Sequence, residues 1–285
     1  MDVVTIGNDD LTVTVSPLGA EMQSLVTADG RNWLWSGDPR FWAGRSPILF
    51  PIVGRAPADQ VSIDGRRYGM NQHGFARRSV FSLAEQTEAA CRFVLTSDAA
   101  SRTVYPFEFT LSVEHRVDGR AVIVTAEVEN RDRRPMPFGI GFHPAFAWPL
   151  PGAAGEHRVW LDNCGEPPMA RLSEGLVMQE RRSSPFRHGE LTLDRELFAA
   201  DAMVFPEGAG TGARYGTEAQ QVHLTWDNLP NFALWSKPGP FVCLEPWHGT
   251  AAEAGGTDAL EQRPFCAVLK PGAAGRYALR AELVG

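Results

Sequence analysis

Nowhere among the 285 residues is there a Cys-x-x-Cys pair, and Cys91, Cys164, Cys243 and Cys266 stand far apart. Neither a zinc knuckle nor a disulfide framework is written into such a chain. Cys243 and Cys266 lie in apolar runs and read as buried, inert thiols. Long hydrophobic runs are missing too: none approaches the roughly 18 residues of a membrane span, so no membrane partner is expected. The N-terminal Met-Asp-Val-Val-Thr-Ile has neither the basic start nor the apolar stretch of a signal peptide, and the expectation is a cytoplasmic protein. Positive charge is in deficit, with 27 Lys and Arg against 34 Asp and Glu and a net charge of −7. Such a chain repels polyanions and offers no basic stripe, which argues against nucleic acid as a partner.

A helical period is also missing. No stretch of a dozen residues repeats apolar side chains every 3.6 positions, and only 39–43, 194–200 and 257–262 read as short helices. Period-2 alternation dominates instead, over 11–15, 91–95, 107–117, 121–129 and 222–226, and predicts half-buried strands. Asp118-Gly119, between two of the longest runs, suits a two-residue hairpin loop in which both central residues take positive φ. Segment 5–15 reads as a second hairpin turning at Gly-Asn-Asp-Asp, and Asp64-Gly65 marks a third. The 28 glycines and 21 prolines sit between these runs as turn punctuation and do not pool into a linker. Segments 150–190 and 206–220 are loop-rich, but strand patterns resume after each. The expectation is all-β: one domain over 1–285, a multi-stranded antiparallel β-sandwich with few short helices.

The polar residues that break this pattern carry the chemistry. Phe241-Val-Cys-Leu reads as a strand buried on both faces that delivers Glu245 against Pro246 at its end. Burial there would raise the carboxyl's pKa and suit it to proton transfer; the plain alternative is a strand-end glutamate in solvent. His143 lies among apolar residues and glycines in Phe138-Gly-Ile-Gly-Phe-His-Pro-Ala-Phe146, and His73 in the loop Asn71-Gln-His-Gly-Phe-Ala-Arg77. Each is open to a structural, hydrogen-bonded reading, yet with Glu245 they form the shortest list from which an acid and a base can be drawn. There is no His-Glu-x-x-His and no Gly-x-Ser-x-Gly, so no metal site and no serine nucleophile is predicted. Trp33, Trp35 and Trp42 cluster near the N-terminus and Trp247 follows Glu245-Pro246. Core packing accounts for most tryptophans, but a Trp beside polar loops also makes a platform for a sugar ring.

Taken in order, Ser46-Pro-Ile-Leu-Phe-Pro-Ile-Val-Gly-Arg55, Gln72-His-Gly-Phe-Ala-Arg77, Phe142-His-Pro144, Asp201-Ala-Met-Val-Phe205 and Cys243-Leu-Glu-Pro-Trp247 resemble the aldose 1-epimerase (galactose mutarotase-like) family, in its shorter bacterial branch. The similarity runs from Gly19-Ala-Glu21 to the last strand. It implies a large antiparallel β-supersandwich. It further implies Glu245 as catalytic base, His143 as general acid, and His73 as a second histidine polarising the sugar near its ring oxygen. Arg55 and Asp201 match positions that hold sugar hydroxyls, although the family's typical Asn-Arg pair reads Gly54-Arg55 here. Read from the residues alone, Asp201 is a turn or helix-cap aspartate and Arg55 a solvated loop charge.

The implied reaction is exchange of the α and β anomers of a free hexose. Glu245 takes the anomeric hydroxyl proton while His143 protonates the ring oxygen; the ring opens, C1 rotates, and reclosure reverses the roles. Positioned proton transfer suffices, so no cofactor is expected. A hexose 6-phosphate is the rival substrate, with Arg45, Arg55 and Arg77 available for it. A non-catalytic sugar-binding protein would keep the tryptophans while tolerating loss of the acid and base.

Overall fold

The computed structural model describes residues 2–285, with Met1 outside it. Strand makes up 47% of the chain and helix 6%, with no helix of seven residues or more. A nine-stranded antiparallel sheet runs Glu190–Thr192, Arg158–Leu161, Gly212–Gly216, Gln221–Asp227, Ala274–Val284, Ala121–Asn130, Phe109–Asp118, Ala90–Thr96 and Ser82–Gln86. A six-stranded sheet contains Met203–Phe205, Asn231–Trp235, Phe241–His248, Ile140–Phe142 and Ile48–Leu49, with Ala145–Ala147 also paired to Phe241–His248. A three-stranded sheet, Val4–Gly7, Leu11–Ser16 and Glu21–Thr27, and three two-stranded sheets, Gln60–Ile63 with Arg66–Gly69, Met136–Phe138 with Ala267–Leu269 and Leu172–Ser173 with Leu176–Val177, complete the β-supersandwich.

All five alternating runs are strands, because their alternate side chains enter one core. Val113, Val124, Phe93, Leu224 and Leu279 of the large sheet join Phe142, Phe232 and Leu244 of the six-stranded sheet and Val13 of the small one. The hairpin at Asp118 forms one residue later than expected. Asp118 pairs with Ala121, so the loop is Gly119-Arg120, and of the two only Gly119 has positive φ, at 57°. That is the φ pattern of a type II′ turn with Gly first. At Asp64-Gly65 both residues do take positive φ, 50° and 75°, as a type I′ loop demands.

Of the three helical readings, two become single 3-10 turns, Arg195–Phe198 and Leu260–Gln262. Asp194 caps the first, its Oδ1 accepting the Glu196 N–H at 2.9 Å. Segment 39–43 contains no helix; the Asp38 carbonyl accepts from Phe41 and Trp42 in a turn. No helix among the described residues is long and apolar enough to cross a membrane.

Candidate active site

The Phe241–His248 strand organises the site. Val242 and Leu244 enter the main core, while Phe241, Cys243 and Trp247 enter two smaller apolar clusters on the opposite face. Alternation puts Glu245 on that second face. The strand does not end at Glu245-Pro246, as the sequence suggests, but continues to His248. Pro246 is tolerated mid-sheet because the neighbouring strand is broken beside it. Ile140–Phe142 pairs with Trp247 and His248, Ala145–Ala147 pairs with 241–243, and His143-Pro144 leave the ladder between them. Leu244 N–H donates to the Pro144 carbonyl at 3.2 Å on that edge, and the Pro246 nitrogen, two residues on, faces the same gap.

His143 projects from this break toward Glu245. Its Nε2 lies 3.1 Å from Glu245 Oε2, and both side chains are buried. The approach is out of line for a hydrogen bond, and Glu245 Oε2, like His143 Nδ1 on the far side of the ring, has no partner among the described residues. Trp42 stacks on the imidazole with centroids 4.9 Å apart, and Trp235 and His73 meet its edges at 5.6 Å. Three aromatic rings thus hold one proton-carrying group at a fixed position.

His73 is placed by its loop. Phe75 and Ala76 N–H groups both donate to the Phe50 carbonyl, and the Phe50 ring packs against Phe109 and Phe138 in the core. His73 itself sits at φ 63°, a left-handed conformation that non-glycine residues seldom adopt. Its Nδ1 accepts the Gly54 N–H at 3.1 Å, which leaves Nε2 to carry the imidazole proton. Gly54, where the resemblance leads one to expect Asn, takes φ 66°, and a Cβ there would lie 2.4 Å from the Ala251 Cβ. Close packing therefore accounts for the glycine. Arg263, buried, donates to the Val53, Thr250 and Arg55 carbonyls and ties the segments on either side of this contact together.

Burial dominates the electrostatics. It pushes the Glu245 carboxyl well above its ordinary range, with Asp201 adding to the shift; the Trp247 indole N–H, near but not aligned as a hydrogen bond, and Arg77 oppose it. It lowers His143 to about 3, helped by Arg77, and lowers His73 well below its usual value, helped by His143. Burial therefore disfavours the charged form of all three groups.

His73, His143, Glu245, Arg77, Asp201 and Trp247 line one cavity of about 250 Å³. Asp201, at φ 66°, uses Oδ1 to accept the Trp235 indole N–H at 3.0 Å. Trp247 is 5% exposed; it packs with Leu49, Val53 and Val204 and presses on Gly141, where a Cβ would lie 2.4 Å from its ring. It is thus both a core residue and part of the cavity wall. Of the N-terminal tryptophans only Trp42 reaches the cavity; Trp33 is in the main core and Trp35 packs on Phe241. Arg55 is not in the cavity lining. Its guanidinium pairs with Asp59 at 2.8 and 2.9 Å and donates to the Glu174 carbonyl, so the expected contact to a sugar hydroxyl is not prepared here. Arg45 is likewise elsewhere, donating to Gln23 Oε1.

The sequence reading missed part of the wall. Leu172, Gly175 and Val177 come from the loop-rich segment 150–190, and Trp235 and Lys237 from the end of the Asn231–Trp235 strand. Nothing in their local pattern marks them. Lys237, whose ammonium lies 5.6 Å from the Trp235 ring centroid, looks like an ordinary loop cation until the chain is folded.

Fold and site together define an all-β protein with a buried carboxyl–imidazole pair at the base of a polar cleft. The chain belongs to the aldose 1-epimerase family, whose model matches residues 2–267. It is 30% identical over 281 residues to the chromosomal protein LacX of Lactococcus lactis subsp. lactis, covering 92% of each chain. A galactose mutarotase related enzyme from Lactobacillus acidophilus superposes with a TM-score of 0.93 at 27% identity, over 100% of this chain and 98% of that one. A galactose mutarotase-like protein from Lactobacillus casei gives 0.90 at 28%, over 99% and 100%.

Proposed function

We propose that this protein is an aldose 1-epimerase that interconverts the α and β anomers of a free hexose by acid/base ring opening. The observation that carries the reading is the 3.1 Å approach of His143 Nε2 to Glu245 Oε2 at the base of the cavity. Ring opening removes a proton from one oxygen on C1 and delivers one to the other. Two oxygens on a single carbon require an acid and a base that are close together. The pair meets that requirement as a one-proton unit: opening starts with the proton on His143, which gives it to the ring oxygen while the Glu245 carboxylate takes the anomeric hydroxyl proton, and closure on the other face returns both. His73, with its proton on Nε2, donates to the sugar near the ring oxygen. Asp201 accepts from hydroxyls, and Trp42, Trp235 and Trp247 supply the apolar walls.

One observation favours a phosphorylated hexose as a second reading. Arg77 and Lys237 line the cavity, and neither has a carboxylate partner within 4.0 Å among the described residues, whereas ion-paired arginines such as Arg31, Arg40, Arg55 and Arg67 lie outside it. Burial lowers Arg77 to about 10, the mark of a cation lacking compensation. Anomer exchange followed by NMR on free and 6-phosphorylated hexoses tests both. Faster exchange of the free sugar supports the first reading, a preference for the phosphate the second, and no acceleration of either contradicts both.

A further inference from the structure

Cys243 reads from the sequence as an inert buried thiol, but the fold gives it company. It lies two residues before Glu245 on the same face of the Phe241–His248 strand, and its Sγ, a His143 ring nitrogen and a Glu245 carboxylate oxygen all lie within 4.8 Å of one another. All three residues are buried. We propose that His143, Cys243 and Glu245 form a binding site for a thiophilic divalent cation of the zinc class, and that its occupation reversibly inhibits the protein.

The donor set is the first support. Imidazole nitrogen, thiolate sulfur and carboxylate oxygen are the three ligand types zinc takes, and three protein ligands leave a fourth tetrahedral position open. Bonds of about 2.0 to 2.3 Å put neighbouring ligand atoms roughly 3.5 Å apart, so the His143–Glu245 pair already fits and no pair need close by more than roughly 1.3 Å. Charge is the second. A thiolate and a carboxylate offset both charges of the ion, so the loaded site adds no net charge to a buried region. The third is the orphaned Glu245 Oε2, a buried oxygen 3.1 Å from His143 Nε2 with no hydrogen-bond partner among the described residues. A buried polar atom of that kind calls for an explanation, and a shared cation supplies one. Access is through the cavity, which His143 and Glu245 both line.

Binding there would be inhibitory by construction. The ion takes the carboxylate oxygen and the imidazole lone pair, the two groups between which the proposed reaction moves its proton. The site itself rests on the three residues; only the inhibition rests on the proposed function, and two readouts separate them. Chelator-treated protein titrated with Co²⁺ should bind one ion per chain, with tetrahedral d–d bands and a thiolate charge-transfer band. Both Cys243→Ser and Cys243→Ala should lose the charge-transfer band, and the two variants together guard against one failing to fold, which circular dichroism checks. Zinc added to the untreated sugar assay should reduce anomer exchange at least tenfold, with full recovery on adding EDTA and a weaker zinc effect in either variant. No cobalt binding at micromolar concentration, or an unchanged spectrum in Cys243→Ala, overturns the site. Binding without any effect of zinc on exchange overturns the inhibition. If exchange is absent even without metal, the cobalt spectrum still decides the site, and the failure belongs to the proposed reaction.

Discussion

At pH 7 an exposed glutamate is a carboxylate and an exposed histidine is partly protonated, but neither Glu245 nor His143 is exposed. Desolvation penalises the charged form of each, raising the Glu245 carboxyl and lowering the His143 imidazole. Burial also moves the pH at which the pair takes up its last proton. For an exposed pair, the second proton would add to glutamate near its ordinary value of about 4.3. Here it must add to His143 at about 3. We expect kcat/KM for anomer exchange to stay level from pH 6.5 down to about pH 4 and to fall only below that, measured on protein whose near-UV circular dichroism is unchanged. A half-loss at pH 4.3 or above would show a pair that solvent reaches. The sequence made Glu245 and His143 visible because each is a polar residue in an apolar run. It did not show their charge states, which depend on side chains stacked from elsewhere in the chain, Trp42 above all.

Among the elements, hairpins and alternating strands were legible because their signals are local. The Asp64-Gly65 loop came out as its dipeptide requires, while at Asp118-Gly119 the strand register absorbed the aspartate and moved the turn by one residue. Gly119 alone carries the left-handed backbone there, with no atom beyond its chain neighbours within 4 Å of where a Cβ would stand. Gly119→Ala should therefore cost about 1 to 2 kcal/mol by backbone strain alone and leave anomer exchange untouched. Denaturant unfolding and the sugar assay on one preparation check this; an unchanged midpoint would contradict the turn geometry. The continuation of the Phe241–His248 strand through Pro246 was not legible. It depends on a break in the neighbouring strand at His143-Pro144, a pairing between segments about a hundred residues apart. That break is also what frees His143 to face Glu245.

At the scale of the molecule, one apolar cluster takes side chains from strands along nearly the whole chain, from Val4 to Leu283. We propose on that ground that the chain unfolds as one domain. Calorimetry should give a single transition with equal van't Hoff and calorimetric enthalpies, and two resolved peaks would contradict it. The β-supersandwich was legible from alternation and turns. The cavity wall was not, because the short hairpin of Leu172–Ser173 with Leu176–Val177, and Lys237, carry no local signal and reach the cavity only by folding. Everything proposed for the site turns on Glu245 as one end of the proton-transfer pair. Glu245→Gln keeps the shape of the side chain and removes its titration. Polarimetric anomer exchange by this variant should fall by about 10²- to 10⁴-fold, the usual contribution of a positioned proton-transfer group, with its thermal midpoint at or above that of the parent. Exchange within a few-fold of the parent, in a folded variant, would contradict the account.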